Sequence, residues 1–220
     1  MEKKYKLTDE TINLNGATLY RIEALKDFGE IKKGDKGGFI ASENNLAHEG
    51  NAWVSDDACV YNNARVYGNA HIYGEAWVYG SACVYEDACV FGCACVYNNA
   101  CVYNNARVCC NACVSDNARV CGNARVYGDT LVRGDACVCG DAEISTDADY
   151  IVFKNWWSSG RYFTWTRSNN MWSVGCFYGT GDELVKKAYK DSELSGREYE
   201  RVVRYVESIL AEENPSKGTN

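Results

Sequence analysis

Valine or isoleucine recurs at every sixth position through the middle of the chain, from Val54 to Ile144, and alanine stands two residues before nearly every one of them. Strand side chains alternate between two sides, and six is an even number, so the alanine and the valine of each repeat point to the same side. The pattern therefore predicts many short strands that bury one apolar side in a common core.

Small or polar residues separate these strands, as in Gly68-Asn69 and Asn98-Asn99. Such residues tolerate a positive φ, which predicts a corner after each strand. A short strand and a corner, repeated without a helix, can bury the apolar side only by coiling around itself. The repeats therefore predict a mainly β fold, a parallel β-solenoid, with Val96, Val102 and Val108 in one interior.

The repeats resemble the hexapeptide-repeat family of left-handed parallel β-helices, in which a small residue follows an aliphatic one by four positions. Val66 with Ala70 and Val78 with Ala82 show this motif. The resemblance implies left-handed winding, three hexapeptides per coil, about five to six coils, and a homotrimer with ligand clefts between subunits. Uncharacterised bacterial and phage proteins have similar repeats, and hexapeptide acyltransferases share the scaffold.

Eighteen residues per coil stack the outward residues that precede the valines into three columns. One column is apolar throughout and is the predicted trimer interface. Tyrosines that follow the valines are predicted to form ladders with about 4.8 Å between neighbours. The apolar column contains Cys59, Trp77, Cys95, Cys113 and Leu131, and the ladders contain Tyr61, Tyr79 and Tyr97, and Tyr67, Tyr85 and Tyr103.

Composition divides the chain into four predicted segments. Residues 1–45 are expected to form an N-terminal β cap, because an open solenoid end exposes unpaired strand edges. Residues 46–148 hold the hexapeptide repeats. Residues 149–214 are rich in aromatic side chains and are predicted to form a small ββαα domain, and residues 215–220 form a polar tail.

In the ββαα domain, residues 161–167 and 171–176 are predicted to form a hairpin around Asn169-Asn170. A two-residue turn there would pair Arg167 with Trp172 and Trp165 with Val174. Two capping boxes, each a reciprocal exchange between side chain and backbone, predict helices from about residues 182 and 196. These boxes are Thr180 with Glu183 and Ser195 with Glu198, and the stripe Tyr199, Val202, Val203, Val206 and Leu210 predicts a packed face on the second helix.

The charge and the cysteines narrow the classes of function. A net charge of -7 argues against a polynucleotide as partner, because such a surface would be basic. No apolar run is long enough to span a bilayer, so we expect a soluble protein with no membrane partner. The 13 cysteines lack the spacing of a disulfide framework and favour a reducing cytoplasm, and no cofactor is expected.

The aromatic domain holds the candidate ligand site. Tryptophan and arginine side chains suit a base or a ribose phosphate, and the segment around Thr180 and Gly181 precedes a helix, where free N–H groups favour anions. The alternative interpretation is that the tryptophans form the core of this small domain. The candidate ligand-binding residues are Arg161, Trp165, Arg167, Trp172, Thr180 and Gly181.

The sequence offers two further candidate sites, and it favours neither. The acyltransferase resemblance implies a histidine base beside a protruding loop, and His71 is the candidate, but its repeat carries no insertion. Cys95, Cys110 and Cys113 are the candidate metal ligands, although zinc usually requires four converging ligands. We therefore expect neither catalytic residues nor a metal site.

Three functions remain open. The first is a non-catalytic oligomeric binding protein that sequesters a small anionic or nucleotide-like ligand, in clefts between subunits or at the aromatic domain. The second is a scaffold that presents the C-terminal domain to a protein partner. The third is an enzyme similar to the hexapeptide acyltransferases.

Overall fold

The computed structural model of the protein describes residues 2–157 and 160–213, so the predicted polar tail at 215–220 lies outside the described residues. Sixteen two-residue strands wind through the middle of the chain as a β-solenoid of about six turns. They are β4 (Trp53–Val54), β5 (Cys59–Val60), β6 (Arg65–Val66), β7 (His71–Ile72), β8 (Trp77–Val78), β9 (Cys83–Val84), β10 (Cys89–Val90), β11 (Cys95–Val96), β12 (Cys101–Val102), β13 (Arg107–Val108), β14 (Cys113–Val114), β15 (Arg119–Val120), β16 (Arg125–Val126), β17 (Leu131–Val132), β18 (Cys137–Val138) and β19 (Glu143–Ile144).

Each strand pairs in parallel with the strand three places further along the chain, so the solenoid has three faces. We call them the apolar face (β5, β8, β11, β14, β17), the arginine face (β4, β7, β10, β13, β16, β19) and the cysteine face (β6, β9, β12, β15, β18). Cys95 lies between Trp77 and Cys113 in register. The predicted period of eighteen residues and the predicted columns are confirmed.

The interior and the corners also match the sequence pattern. Val96, Val102 and Val108 are fully buried in one core with the repeat alanines. The first residue of every corner pair from Asp56 to Gly140 has a positive φ, whether or not it is glycine. Burial of the apolar valines and the positive φ angles of the corners therefore favour the same coiled path of the backbone.

The N–H groups on either side of each valine, and those of the corners, donate to carbonyl groups of the following coil, as Trp53 N does to Ala70 O at 3.0 Å. Most of the repeat alanines donate within their own turn instead, as Ala58 N does to Ser55 O at 3.2 Å. The first coil therefore has carbonyl groups, such as that of Ala52, that no preceding coil covers, and the last coil has N–H groups, such as that of Cys137, that no following coil covers. The first end mainly needs donors, and the second end mainly needs acceptors.

The N-terminal segment supplies donors at the first end. Strands β1 (Tyr5–Leu14) and β2 (Ala17–Ala24) form a hairpin, and β3 (Lys36–Ile40) joins it to β5 on the apolar face. The buried Lys4 ammonium donates to the carbonyl oxygens of Ala52 at 2.8 Å and Gly50 at 3.3 Å. The Asn45 amide donates to two more carbonyl oxygens, those of Asn62 and Ala64.

Oxygen atoms from the C-terminal segment accept at the second end. Leu131 N donates to Asp147 Oδ1, Cys137 N to Thr164 Oγ1 and Glu143 N to Ser168 Oγ, at 2.7 to 2.8 Å. The C-terminal segment therefore supplies acceptors to these N–H groups of the last coil, while the Tyr150 hydroxyl donates to the Leu131 carbonyl at the same end.

The C-terminal segment contains four strands and two helices rather than the predicted ββαα arrangement. The antiparallel strands are β20 (Tyr150–Lys154), β21 (Tyr162–Thr166), β22 (Met171–Val174) and β23 (Phe177–Gly179), and the helices are α1 (Gly181–Asp191) and α2 (Glu193–Glu213). Helix α2 packs Val203 and Val206 into the core of this domain, as its apolar stripe predicts. The two additional strands flank the predicted hairpin, and β23 follows a two-residue turn at Gly175, whose φ is 60°.

The hairpin register differs from the prediction. Trp165 pairs with Trp172, and Thr166 pairs with Met171, so the loop has four residues rather than two. Asn169 favours the longer loop because its side-chain oxygen accepts hydrogen bonds from Thr166 Oγ1 at 2.6 Å and Met171 N at 3.3 Å. The predicted pairing of Arg167 with Trp172 is therefore wrong.

The start of α2 also corrects the sequence analysis. The first capping box is present, with Thr180 and Glu183 exchanging hydrogen bonds at the start of α1. The second helix begins at Glu193, so the predicted box of Ser195 and Glu198 is wrong. Ser192 Oγ accepts the Ser195 N–H instead, because α2 follows α1 after a single residue.

The disulfide and the two helices bear on the predicted cellular environment of the protein. Cys121 and Cys139, one coil apart, form a disulfide, which the absence of a disulfide framework did not predict. The reducing cytoplasm stays a prediction. In the described part of the chain, neither helix has the length and apolar character that crossing a bilayer would require.

The last coil allows a matched test of its hydrogen bonds. Thr164 is buried, so Thr164→Val would leave the Cys137 N–H without an acceptor and should lower the free energy of unfolding by about 1–3 kcal/mol. Ser168 has the same role toward Glu143 but is exposed, so water can replace it in Ser168→Ala. Urea denaturation of both variants should show a loss only for Thr164→Val. Equal losses would contradict this account.

Candidate functional site

The structure buries the two tryptophans of the predicted ligand site. Trp165 and Trp172 are 1% and 2% exposed and belong to the core of the C-terminal domain. The Trp165 indole N–H donates to Asn170 Oδ1 at 2.8 Å. Neither ring offers a face on which a ligand could stack.

The other predicted ligand-binding residues already have partners or are spread apart. The Arg167 guanidinium pairs with the Glu213 carboxylate at 2.6 Å. The N–H and hydroxyl of Thr180 are both bonded to the Glu183 carboxylate, which occupies the start of α1 where an anion would bind. Gly181 lies against Val203, and Arg161 lines two small cavities at the edge of the sheet. The six residues do not form one open site.

His71 and the candidate metal ligands lie in regular repeats. His71 is half-buried on the arginine face between Trp53 and Cys89, and burial lowers the pKa of its imidazole. Cys95 and Cys113 are neighbours on the apolar face, whereas the Cys110 thiol lies at a corner and contacts Cys109. Among the described residues, the sulfur atoms that converge belong to a different set, Cys121, Cys137 and Cys139.

The arginine face carries an open groove with both charge and aromatic character. Its volume is about 350 Å³. Arg107 and Arg125 occupy successive rungs of this face, with Glu143 on the rung above them. The groove is lined by Phe91, Arg107, Cys109, Arg125, Tyr127 and Glu143.

A rung is missing from the aromatic ladder beside these arginines. Tyr73 and Phe91 stack with ring centroids 4.8 Å apart and planes inclined by 2°. The next position of the same column is Cys109, and Tyr127 follows one coil later. Phe91 and Tyr127 are therefore two rungs, or roughly 10 Å, apart along the coil axis. That spacing leaves room for one planar ring above Cys109.

The charges of the groove favour an anion. Arg125 is paired with the Glu143 carboxylate at 3.5 Å, while both side chains are at least half exposed. Within the described residues, Arg107 has no carboxylate within 4.0 Å, and it lies one rung from Arg125. Two neighbouring guanidinium groups repel each other, so an anion that contacts both would be stabilised.

The thiol at the floor of the groove is not an activated nucleophile. Desolvation, with the hydrogen-bonded Cys110 thiol beside it, raises the pKa of Cys109 to about 11. Cys109 is therefore protonated and neutral near pH 7. It provides a small apolar floor under the groove and supplies no negative charge that would oppose an anion.

The sequence prediction does not include this groove, although the sequence contains a signal for it. Two of the three columns that follow the valines are the tyrosine ladders, and the groove belongs to the third. The same period of eighteen residues places Tyr73, Phe91, Cys109 and Tyr127 in that third column. A cysteine within an aromatic series was the sequence signal for the gap.

The comparisons with known proteins support the repeat architecture only. A family model described as the YdcK beta solenoid repeat matches residues 58–74 and 118–134, which is well under half of the chain. No curated protein matched the chain. The chain is thus similar to a repeat β-solenoid family, and the specific relationship to hexapeptide acyltransferases stays an expectation.

Proposed function

We propose that this protein is a non-catalytic binding protein that holds a small planar anion of the mononucleotide type on its solenoid. The gap at Cys109 in the aromatic ladder, beside Arg107 and Arg125, carries this proposal. A base would fill the missing rung between Phe91 and Tyr127, and a phosphate would contact the two guanidinium groups. The proposed ligand belongs to the class that the sequence predicts. The proposed site, however, lies on the arginine face and not in the C-terminal domain.

Isothermal titration with a nucleoside monophosphate, the matching nucleoside and ribose 5-phosphate tests the proposal. The monophosphate should bind best, because it alone supplies both the ring and the anion. Arg107→Gln should weaken its binding tenfold or more, since a charge-assisted hydrogen bond contributes about 1.5–3 kcal/mol. Arg65→Gln is the matched control, because Arg65 is an exposed arginine on the cysteine face.

A second variant tests the missing rung itself. Cys109→Phe would complete the ladder from Tyr73 to Tyr127 and fill the space proposed for the base. Binding should be lost while the melting temperature is unchanged or raised, because added ring stacking stabilises the column. If no nucleotide binds to the wild type, or if nucleotides bind to Cys109→Phe and to Arg107→Gln as tightly as to the wild type, the proposal is wrong.

A scaffold function is the second candidate. It is favoured by the hydrogen bonds that join the C-terminal domain to the last coil. Cys137 N and Glu143 N donate to hydroxyl groups of the domain, and the Tyr150 hydroxyl donates to Leu131 O at 2.8 Å. The solenoid would then space this domain for a protein partner. Copurification of one stoichiometric partner, lost on removal of residues 150–220, would support this candidate over ligand binding.

The N-terminal cap, the left-handed winding and the homotrimer are further parts of the proposal. The donors at Lys4 and Asn45 support a cap, because they occupy carbonyl groups that no coil covers. The apolar face supports self-association, since the other two faces carry like-charged arginines such as Arg119 and Arg125. Native mass spectrometry, with and without the monophosphate, reports the subunit number and the bound ligand together.

A further inference from the structure

We propose that Cys121, Cys137 and Cys139 form a redox-controlled site for a thiophilic d¹⁰ metal ion such as Zn²⁺. Their three sulfur atoms lie within 4.8 Å of one another at the upper end of the cysteine face. In the structure, Cys121 and Cys139 are joined as a disulfide, and Cys137 Sγ lies 3.4 Å from Cys139 Sγ. The disulfide form holds no metal, and the reduced form presents three thiols.

The backbone brings the three thiols together without any rearrangement of the coil. Cys137 and Cys139 flank the inward Val138, so both side chains leave the same strand on its outer side. Cys121 is one coil below Cys139, and their Cα atoms are 4.7 Å apart. Zinc–sulfur bonds of about 2.3 Å place the sulfur atoms of a tetrahedral site about 3.8 Å apart. Small side-chain rotations after reduction reach that distance.

The surroundings suit three thiolates and one further ligand. Arg119 lies one rung below Cys137, so its positive charge partly offsets the negative charge of the thiolates. Burial raises the pKa of the Cys137 thiol, and Arg119 and Ser173 oppose that shift. A cavity of about 170 Å³, lined by Cys137, Asp135 and Ser173 among others, lies beside the site and has room for a water molecule as fourth ligand.

The chemistry balances with a dithiol as reductant. The dithiol transfers two electrons and two protons to the Cys121–Cys139 disulfide and itself becomes a disulfide. Zn²⁺ then binds the three sulfur atoms and displaces three protons. An external disulfide then takes two electrons from the Cys121 and Cys139 thiolates and, with two protons, becomes two thiols. The Cys121–Cys139 bond forms again, the Cys137 thiolate takes up the third proton, and the zinc ion is released to water. Metal affinity should consequently rise with pH until the thiols are ionised.

The test uses the full chain, reduced with a dithiol, exchanged into reductant-free buffer without oxygen, and titrated with Zn²⁺ against a chromophoric chelator. Cys137→Ser and Cys139→Ser should each weaken the tightest zinc equivalent at least tenfold. Cys95→Ser is the matched control, because Cys95 is a half-buried thiol of the apolar face with Cys113 beside it. Melting curves of all variants check that each one is folded.

The disulfide provides a second, independent readout. Oxidised wild-type protein should lack the tight zinc equivalent, and adding an external disulfide to the loaded protein should release one zinc per chain. With Co²⁺ as probe, sulfur-to-metal charge-transfer absorption should fall by about one third in Cys137→Ser. Equal affinity in the oxidised protein, or equal loss in Cys95→Ser and Cys137→Ser, would show dispersed thiol binding and overturn the proposal.

Discussion

Val102→Asp should unfold the middle of the solenoid. Val102 is fully buried on the cysteine face, and the coils before and after it contribute Val84 and Val120 to the same interior column. An aspartate there would be an unpaired charge in an apolar core, a change that costs more than about 4 kcal/mol. Because each coil contacts only its neighbours, one broken coil separates the stack into two shorter pieces.

The neighbouring residue supplies the control. Cys101 belongs to the same strand, but its side chain points outward, one rung below Arg119. Cys101→Asp introduces the same carboxylate next to a guanidinium group and should change the free energy of unfolding by about 0.5 kcal/mol or less. Far-UV circular dichroism and urea denaturation compare the two variants. A folded Val102→Asp with unchanged stability would mean that the valines do not share an interior.

The solenoid could be predicted from the sequence because one local rule is repeated without interruption. Alternation of side chains decides which residues point inward, and a fixed period decides which residues are stacked, so the sequence alone places Cys95 beside Cys113. The disulfide obeys the same arithmetic, since Cys121 and Cys139 are eighteen residues apart. The spacing of a disulfide framework does not indicate this pair, because the coil period alone brings the two cysteines together.

The C-terminal domain followed no such rule. Its hairpin register depends on the Asn169 side chain, which accepts hydrogen bonds from both sides of the loop. The start of α2 depends on Ser192, where the preceding helix ends. Several residues that could form the turn or cap the helix lie within a few positions of each other. Tertiary packing determines which of them does so in the folded protein. The composition alone also left open whether Trp165 binds a ligand or forms the core.

Trp165→Ala should destabilise the C-terminal domain by about 3–5 kcal/mol, the cost of removing a large buried aromatic side chain. Trp165 is 1% exposed, pairs with Trp172 across the hairpin and donates its indole N–H to Asn170. Its removal would leave a cavity and an unused acceptor. Urea denaturation, monitored by tryptophan fluorescence, should show that this domain unfolds at a lower urea concentration than in the wild type.

Trp156→Ala is the control, because it also removes a tryptophan but one that is 82% exposed and therefore contributes little packing. It should change the free energy of unfolding by about 0.5 kcal/mol or less. Binding of the monophosphate to Trp165→Ala, measured below the unfolding transition, should equal that of the wild type, since the arginine-face groove lies on the solenoid. Unchanged stability together with lost binding would instead place the ligand at the C-terminal domain. The two measurements therefore decide between a core and a ligand platform for the same side chain.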